Sequence, residues 1–339
     1  MVPKLEQPGL AVGNQWGAPE ASGPSGLSPE QLTWSSYFAN ARLQGLIKQA
    51  LSTNRDLRVA VLNIEQTRAA YQIARADQFP TLNAAVSATR QPATTPPNRV
   101  GTVATGGLSL ASFEIDLFGR VQALTESAAA QLLATEEARK AAQISLVGAL
   151  ASSYYSLWAD QWQLALAEQT LSTREASFKL LKLKYDNGVL NELDLRSGQS
   201  LVEAARIARA QSQRQAQLDL NALTLLVGAP VEASQLPPKP SVPVRAAIPQ
   251  ITQASQLWPS LSALPVGLPS EVLLKRPDIA QAEQLLVSAN ANIGAARAAR
   301  FPRIGLTASA GVASDALSGL FSEGRSAWSL GGSLTAPIF

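Results

Sequence analysis

Apolar and polar residues alternate with a period of two in four stretches of this 339-residue chain, and follow a helical period through most of the remainder. In the first stretch Leu82, Ala84, Val86 and Ala88 share one face while Thr81, Asn83, Ala85, Ser87 and Thr89 share the other, which predicts a strand with one apolar side. A loop from Pro92 to Gly107, rich in Pro, Thr and Gly, is expected next. From Leu108 the alternation resumes and then shifts to Phe113, Ile115 and Leu117, which predicts a bulge near Ala111-Ser112. The third stretch carries Ile304, Leu306, Ala308, Ala310 and Val312 on its apolar side. Beyond a loop from Ser314 to Arg325 the fourth carries Trp328, Leu330, Leu334, Ala336 and Ile338.

Between the strands the pattern predicts helices. A short amphipathic one covers Ser36 to Leu51, and another runs from the N-cap Asn54 to Asp77, stopped by Pro80. The longest, Arg120 to Asp186, contains no proline, and Leu150, Leu157, Leu164, Leu171, Phe178 and Tyr185 repeat every seven residues as in a coiled-coil seam. At a rise of 1.5 Å per residue it is on the order of 100 Å long, too long for a compact globular domain. Asn187-Gly188 breaks it, and an Ala-rich helix follows from Leu193 to Val227. The helices 54–77 and 193–227 are expected to stack end to end alongside the long one. A Pro-rich, mostly extended connector from Val231 to Leu268, with a short helix near Pro249 to Trp258, leads to a last helix from Ser270 to Arg300.

The stretch Asp56 to Ala88 recurs without a gap 222 positions later, from Asp278 to Ala310. Arg75, Phe79, Pro80 and Ser87 return as Arg297, Phe301, Pro302 and Ser309, so the chain consists of two similar halves, each passing from helix to strand at Phe-Pro. The expected organisation is an extended arm over 1–35, a first repeat over 36–228, a connector over 229–268 and an incomplete second repeat over 269–339.

Composition removes several function classes. The chain has no Cys and no His, so thiol nucleophiles, imidazole bases and the usual zinc ligands are missing; no catalytic residue, no cofactor and no metal site is expected. Lys plus Arg exceed Asp plus Glu by only 28 to 25, and no basic cluster suggests nucleic acid as a partner. No run of about 18 apolar residues offers a transmembrane helix. Strands of roughly 10 to 13 residues are nevertheless about 33 to 43 Å long, enough to cross a bilayer when tilted. Four strands cannot close a barrel, and lipid forbids open edges, so several chains must pool their strands.

Four motifs then carry a family resemblance. They are Phe113-Glu114-Ile115-Asp116-Leu117-Phe118-Gly119-Arg120, Tyr185 to Leu195 around Asn187-Gly188-Val189-Leu190-Asn191-Glu192, Gly267 to Ile279, and Ala289 to Pro302. In this order they resemble the outer-membrane efflux factors, the TolC/OprM-like exit ducts, and among them the NodT-type lipoprotein branch. The resemblance implies a mixed membrane protein: a homotrimer with a twelve-stranded transmembrane β-barrel continued by a long periplasmic α-helical coiled-coil barrel. It also implies an outer-membrane location in a Gram-negative bacterium, with a periplasmic adaptor and an inner-membrane pump as partners. The implied function is passive efflux of small molecules such as drugs or metal ions. Type I protein secretion is the nearest alternative, and a soluble coiled-coil scaffold a more distant one.

Two departures from the family stand out. Its lipoprotein branch carries a lipidated Cys at the mature amino terminus, and this chain has none, so the expectation is that an anchor was lost before Met1 or never existed. The family also continues past the strand ending at Phe339 into a second long hairpin. By repeat symmetry with Gly119 to Gly228 about 110 residues or more are therefore expected beyond this chain, and with them the carboxylates of the closed periplasmic end.

Thr81, Asn83, Ser87, Thr307 and Ser309 are expected to line a water-filled lumen, and Leu82, Val86, Ile304, Leu306, Trp328 and Leu330 to face lipid. Gly188, Val189, Leu190, Asn191 and Glu192 form the hairpin tip; Val189 and Leu190 are costly in water unless covered, and in the family this tip meets the adaptor. Glu114 and Asp116, two apart on a strand, suit a lumen or junction role rather than acid/base chemistry. Tyr154, Tyr155, Trp158 and Trp162 fall at core-packing spacing. Phe79 and Phe301 suit either an interfacial girdle or a packed corner. Lys179, Lys182 and Lys184 suit a solvated face.

Overall fold

The computed structural model describes residues 2–5, 33–92, 100–240, 270–320, 322 and 325–338. The connector helix expected near Pro249 to Trp258 and most of the arm over 1–35 lie outside these residues. In order come α1 (Trp34–Tyr37), α2 (Ala41–Thr53), α3 (Arg55–Ala76), β1 (Leu82–Pro92), β2 (Val100–Ile115), α4 (Arg120–Asp186), α5 (Glu192–Val227), a 3-10 helix (Ser270–Lys275), α6 (Pro277–Ala298), β3 (Arg303–Ser314), a 3-10 turn (Leu317–Gly319) and β4 (Arg325–Thr335).

The chain folds into two compact units that cut across the sequence halves: Met1–Ala11, Leu62–Ala138 and Pro277–Phe339 in one, Val12–Val61 and Arg139–Arg276 in the other. The second unit has an apolar core. Leu43, Leu46, Ile47 and Ala50 of α2 meet Leu150, Tyr154, Leu157 and Trp158 of α4 and Leu223 and Val227 of α5. The aromatic cluster is thus core packing, as its spacing suggested, and the buried Tyr154 hydroxyl accepts a hydrogen bond from Asn40 Nδ2 at 3.3 Å. Burial raises the Tyr154 pKa, which the Asn40 bond only partly offsets. The expected helix Ser36 to Leu51 is two helices, because Asn40 Oδ1 accepts from the backbone N–H of Arg42 (2.9 Å) and Leu43 (3.2 Å) and caps a fresh start.

The end-to-end meeting of α5 and α3 is present. Thr53 Oγ1 donates to the Val227 carbonyl at 2.6 Å and Asn54 Nδ2 to the Leu226 carbonyl at 2.8 Å, while Asn54 Oδ1 caps α3 at Leu57 N–H (2.8 Å). Gly228 makes this possible. Its φ of 75° ends α5, and a Cβ there would lie 2.7 Å from the Thr53 carbonyl oxygen. The pairing of α4 with α5 is antiparallel: Gly198 lies against Leu181 and Phe178, Arg206 pairs with Glu175 at 3.2 Å, and Arg209 with Glu168 at 3.6 Å.

In the first unit helices approach through small residues. Ala123, Ala130 and Ala134 of α4 and Ala291, Ala295 and Ala298 of α6 are buried, and the buried Ser127 and Ser288 hydroxyls share a 2.8 Å hydrogen bond. Thr125 Oγ1 donates to the Ala74 carbonyl of α3 at 3.0 Å. The expected helix Ser270 to Arg300 begins instead as a 3-10 helix and restarts at Pro277, which has no N–H to continue the first segment but suits the opening turn of the next.

One antiparallel sheet in the order β1-β2-β3-β4 completes this unit. It corrects the expected loop from Pro92 to Gly107, since β2 starts at Val100 and pairs residue by residue with β1 out to Val100 opposite Pro92. Cross-strand pairing overrides the weak strand preference of the glycines Gly101, Gly106 and Gly107. The bulge is where the pattern placed it, between Leu110 and Phe113. Thr81 precedes β1 and lies outside the ladder, and Ala336 to Ile338 lie beyond β4.

Candidate functional site

The register aligns side chains into rows that cross all four strands. Asn83, Ser109, Ser309 and Ser329 are successive partners on one face. On that face the Ser309 and Ser329 hydroxyls lie 2.8 Å apart, as do those of Ser87 and Thr105, and Thr307 Oγ1 donates to the Gly331 carbonyl at 3.2 Å. Of the residues expected on the polar side, Asn83, Ser87, Thr307 and Ser309 share this face, and Thr81 stands just before it. The next row, Ala85, Gly107, Gly311 and Ala327, carries almost no side chain. A Cβ on Gly107 or Gly311 would run into the facing backbone, so β2 and β3 approach here as only glycine permits. A hollow of about 270 Å³ lies over this row, edged by Thr105, Ser109 and Ser309.

The opposite face is apolar through its central rows and turns polar toward the strand ends away from the helices, where Ser326, Ser314, Thr102 and Arg90 join it. Leu82, Leu110, Ala308 and Leu330 form one; Ala84, Leu108, Ala310 and Trp328 the next; Val86, Gly106 and Val312 a third. Ile304 and Leu306 continue it toward the helices, paired with Ile115 and Phe113 because the bulge restores the phase. All six residues expected on the lipid side share this face. Trp328 is 79% exposed and Leu330 68%, a cost in water that a hydrocarbon solvent removes. From Ile304 to Val312 the face runs about 26 Å along the strand, or about 20 Å when tilted as in a barrel, close to the height of an outer-membrane apolar band. Leu320, fully buried, folds back over Gly106 at the far end of this face, a contact no local pattern announces.

At the strand-to-helix junction the two carboxylates take separate tasks. Glu114 holds Arg120 through two bonds, Nε at 2.8 Å and Nη2 at 2.6 Å. Asp116 lies past the end of β2, not on it, and its oxygens accept from the backbone N–H of Arg120 (2.7 Å) and Gln122 (2.8 Å), capping α4. Both are committed to turning the chain. Phe301 stacks on Phe118 at 4.7 Å but remains 39% exposed, and Phe79 is 62% exposed.

At the hairpin tip Gly188 adopts φ 71°, and Gly188 N–H and Val189 N–H return to the carbonyls of Tyr185 (2.8 Å) and Lys184 (2.9 Å), closing α4. Asn191 caps α5 through Asp194 N–H at 2.8 Å, and Glu192 pairs with Arg196 at 3.3 Å. Val189 is 75% exposed, but Leu190 is half-buried, which corrects the expectation that both are bare. The second bare residue is Leu193, 77% exposed and one helical turn on, missed because it was assigned to the helix rather than the tip. Lys179, Lys182 and Lys184 are exposed. Among the described residues no helix is long and apolar enough to cross a membrane, and no three acidic side chains are grouped to hold a metal.

A sheet with one hydrocarbon-matched face, one hydroxyl-lined face and two unpaired edges, joined to a 67-residue helix, defines an outer-membrane channel protein with a helical extension. Residues 46–229 and 268–339 match the Outer membrane efflux protein family. The toluene efflux pump outer membrane protein TtgC of Pseudomonas putida is 40% identical over 349 residues, covering 100% of this chain and 69% of TtgC. Outer membrane protein OprJ of Pseudomonas aeruginosa is 41% identical over 344 residues, with the same coverage. The open-state crystal structure of the Neisseria gonorrhoeae MtrE outer membrane channel superposes with a TM-score of 0.78 at 36% identity, covering 100% of this chain and 72% of that one. The chain belongs to the outer membrane efflux protein family: it is an outer-membrane efflux channel component of a Gram-negative bacterium, not an enzyme.

Proposed function

We propose that three copies of this chain close one twelve-stranded barrel and serve as the exit duct of a tripartite pump, passing small molecules that an inner-membrane pump drives. The observation that carries this is the sheet itself, with a continuous apolar face, a hydroxyl-lined face and open edges at β1 and β4. Lipid does not tolerate those edges. Two copies would give an eight-stranded barrel, whose interior side chains largely fill; three leave a lumen. Thr81, Asn83, Ser87, Thr307 and Ser309 then line water, and Leu82, Val86, Ile304, Leu306, Trp328 and Leu330 meet lipid. The similarity to TtgC favours small organic cargo over secreted protein, since TtgC is named for toluene efflux. Residues 36–228 and 269–339 act as two copies of one building block joined by 229–268, so the duct has approximate sixfold regularity.

The tip, Gly188 to Glu192 with Leu193 added, docks the periplasmic adaptor through Val189 and Leu193. Two experiments test these assignments. Cysteines placed on facing positions of β1 and β4 should cross-link copies into trimers, and the protein should conduct in planar bilayers; monomers without conductance would refute the shared barrel. V189D/L193D should conduct as wild type yet fail to restore solvent tolerance to a strain lacking its own duct, and unimpaired tolerance would remove the tip from the docking surface.

A further inference from the structure

Both sequence copies repeat one arrangement where helix passes to strand. Arg75 and Arg297 occupy the last turns of α3 and α6, Phe79 and Phe301 follow four residues later, and Leu82 and Ile304 open the apolar sheet face three residues beyond those. Both arginines are exposed, and among the described residues neither has an acidic partner at salt-bridge distance. Phe79 is 62% exposed, and Leu117, next to the Phe118 that stacks on Phe301, is 64% exposed. Between each arginine and its phenylalanine the helix ends in one tight turn, closed by the Phe79 N–H on the Ala76 carbonyl (2.9 Å) and the Phe301 N–H on the Ala298 carbonyl (3.1 Å). A cation therefore stands one turn on the helix side of an aromatic ring, which itself stands at the edge of a hydrocarbon-matched surface. That order matches the phosphate level, the acyl boundary and the hydrocarbon of one leaflet.

We propose that this collar is a phospholipid-headgroup site: Arg75 and Arg297 engage the phosphates of anionic lipid in the leaflet on the helix side, while Phe79, Leu117 and Phe301 rest at the acyl boundary. The proposal rests on the sheet spanning the membrane. Its rival is local, because a basic residue in a helix's last turn also complements the helix dipole, an effect indifferent to lipid type.

The test uses the full chain, as wild type, R75Q/R297Q and R75K/R297K, in nanodiscs of phosphatidylcholine alone or mixed with phosphatidylglycerol. Flotation with vesicles and bilayer conductance come first, and failure of the wild type there refutes the membrane assignment itself. In inserted protein, native mass spectrometry should find phosphatidylglycerol retained over phosphatidylcholine. The glutamine variant should lose that preference by about fivefold for each arginine, and the lysine variant should keep most of it. An inserted wild type with no preference, or a glutamine variant with the wild-type preference, overturns the proposal. If the glutamine variant does not assemble, the wild-type preference is measured against added salt: screening should erase it, and a preference unchanged by salt overturns the proposal.

Discussion

Replacing Asp160 by Asn should stabilise the protein above neutral pH and leave it unchanged in acid. The antiparallel register of α4 and α5, fixed by Gly198 against Leu181, Arg206 to Glu175 and Arg209 to Glu168, brings Asp160 opposite Asp219. Attractive pairs line this interface toward the tip, whereas its base holds two like charges. Burial, and the facing Asp219 carboxyl, push the Asp160 pKa up to about 6, and Gln215 Nε2 supports Asp219 from its own helix at 3.1 Å. An ordinary Asp titrates near 3.9. The folded protein therefore holds a proton that the unfolded chain has released, so the stability linked to it is fully present below about pH 4, declines as pH rises through about 6, and is flat above. Two pK units set a ceiling of about 3 kcal/mol. Both carboxyls are only partly buried, and solvent screening reduces the expected effect to about 1 kcal/mol. Asn keeps the shape of the protonated acid without its charge. Melting followed in detergent at pH 8 should therefore shift upward in D160N, the shift shrinking through pH 6 and vanishing near pH 4. An equal gain at all pH values, or a loss at pH 8, would refute the like-charge account.

Four further substitutions probe the scaffold. Gly311→Ala drives a Cβ into the Gly106 carbonyl across the β2–β3 ladder and should cost about 1–3 kcal/mol. Gly332→Ala, whose Cβ meets nothing within 4 Å, should be silent, and heat resistance of the assembled barrel on semi-native gels distinguishes them. Gly228→Ala combines a strained φ with contact on the Thr53 carbonyl and should cost about 2 kcal/mol or more, read by chemical denaturation; a neutral result would show that the α5–α3 contact is slack. Glu114→Gln leaves Arg120 half-paired at the junction and should cost about 1–3 kcal/mol, seen as earlier protease cleavage near Gly119.

The features legible in the sequence were those that one segment decides alone. Alternation gave both faces of β1, β3 and β4 and of β2 from Leu108 onward because the side-chain period is two whatever the neighbours do, and the slip at Ala111-Ser112 announced its bulge for the same reason. The helix Arg120–Asp186 was legible because nothing in it breaks a helix. Segments whose state depends on a distant partner were not. Val100 to Gly107 is strand only because β1 and β3 lie beside it. The division of labour between Glu114 and Asp116 appears once the chain turns and places Arg120 between them, and Asp160 acquires its neighbour only through a helix register set far along the sequence. A polar row such as Asn83, Ser109, Ser309 and Ser329 can be assigned to one face from the chain alone, but an apolar face about 20 Å tall and two bare edges are stable only in company. Residues that the isolated chain leaves exposed at a cost, Trp328 and Leu330 on the sheet and Val189 and Leu193 at the tip, are the ones that the proposed barrel and docking contact would cover.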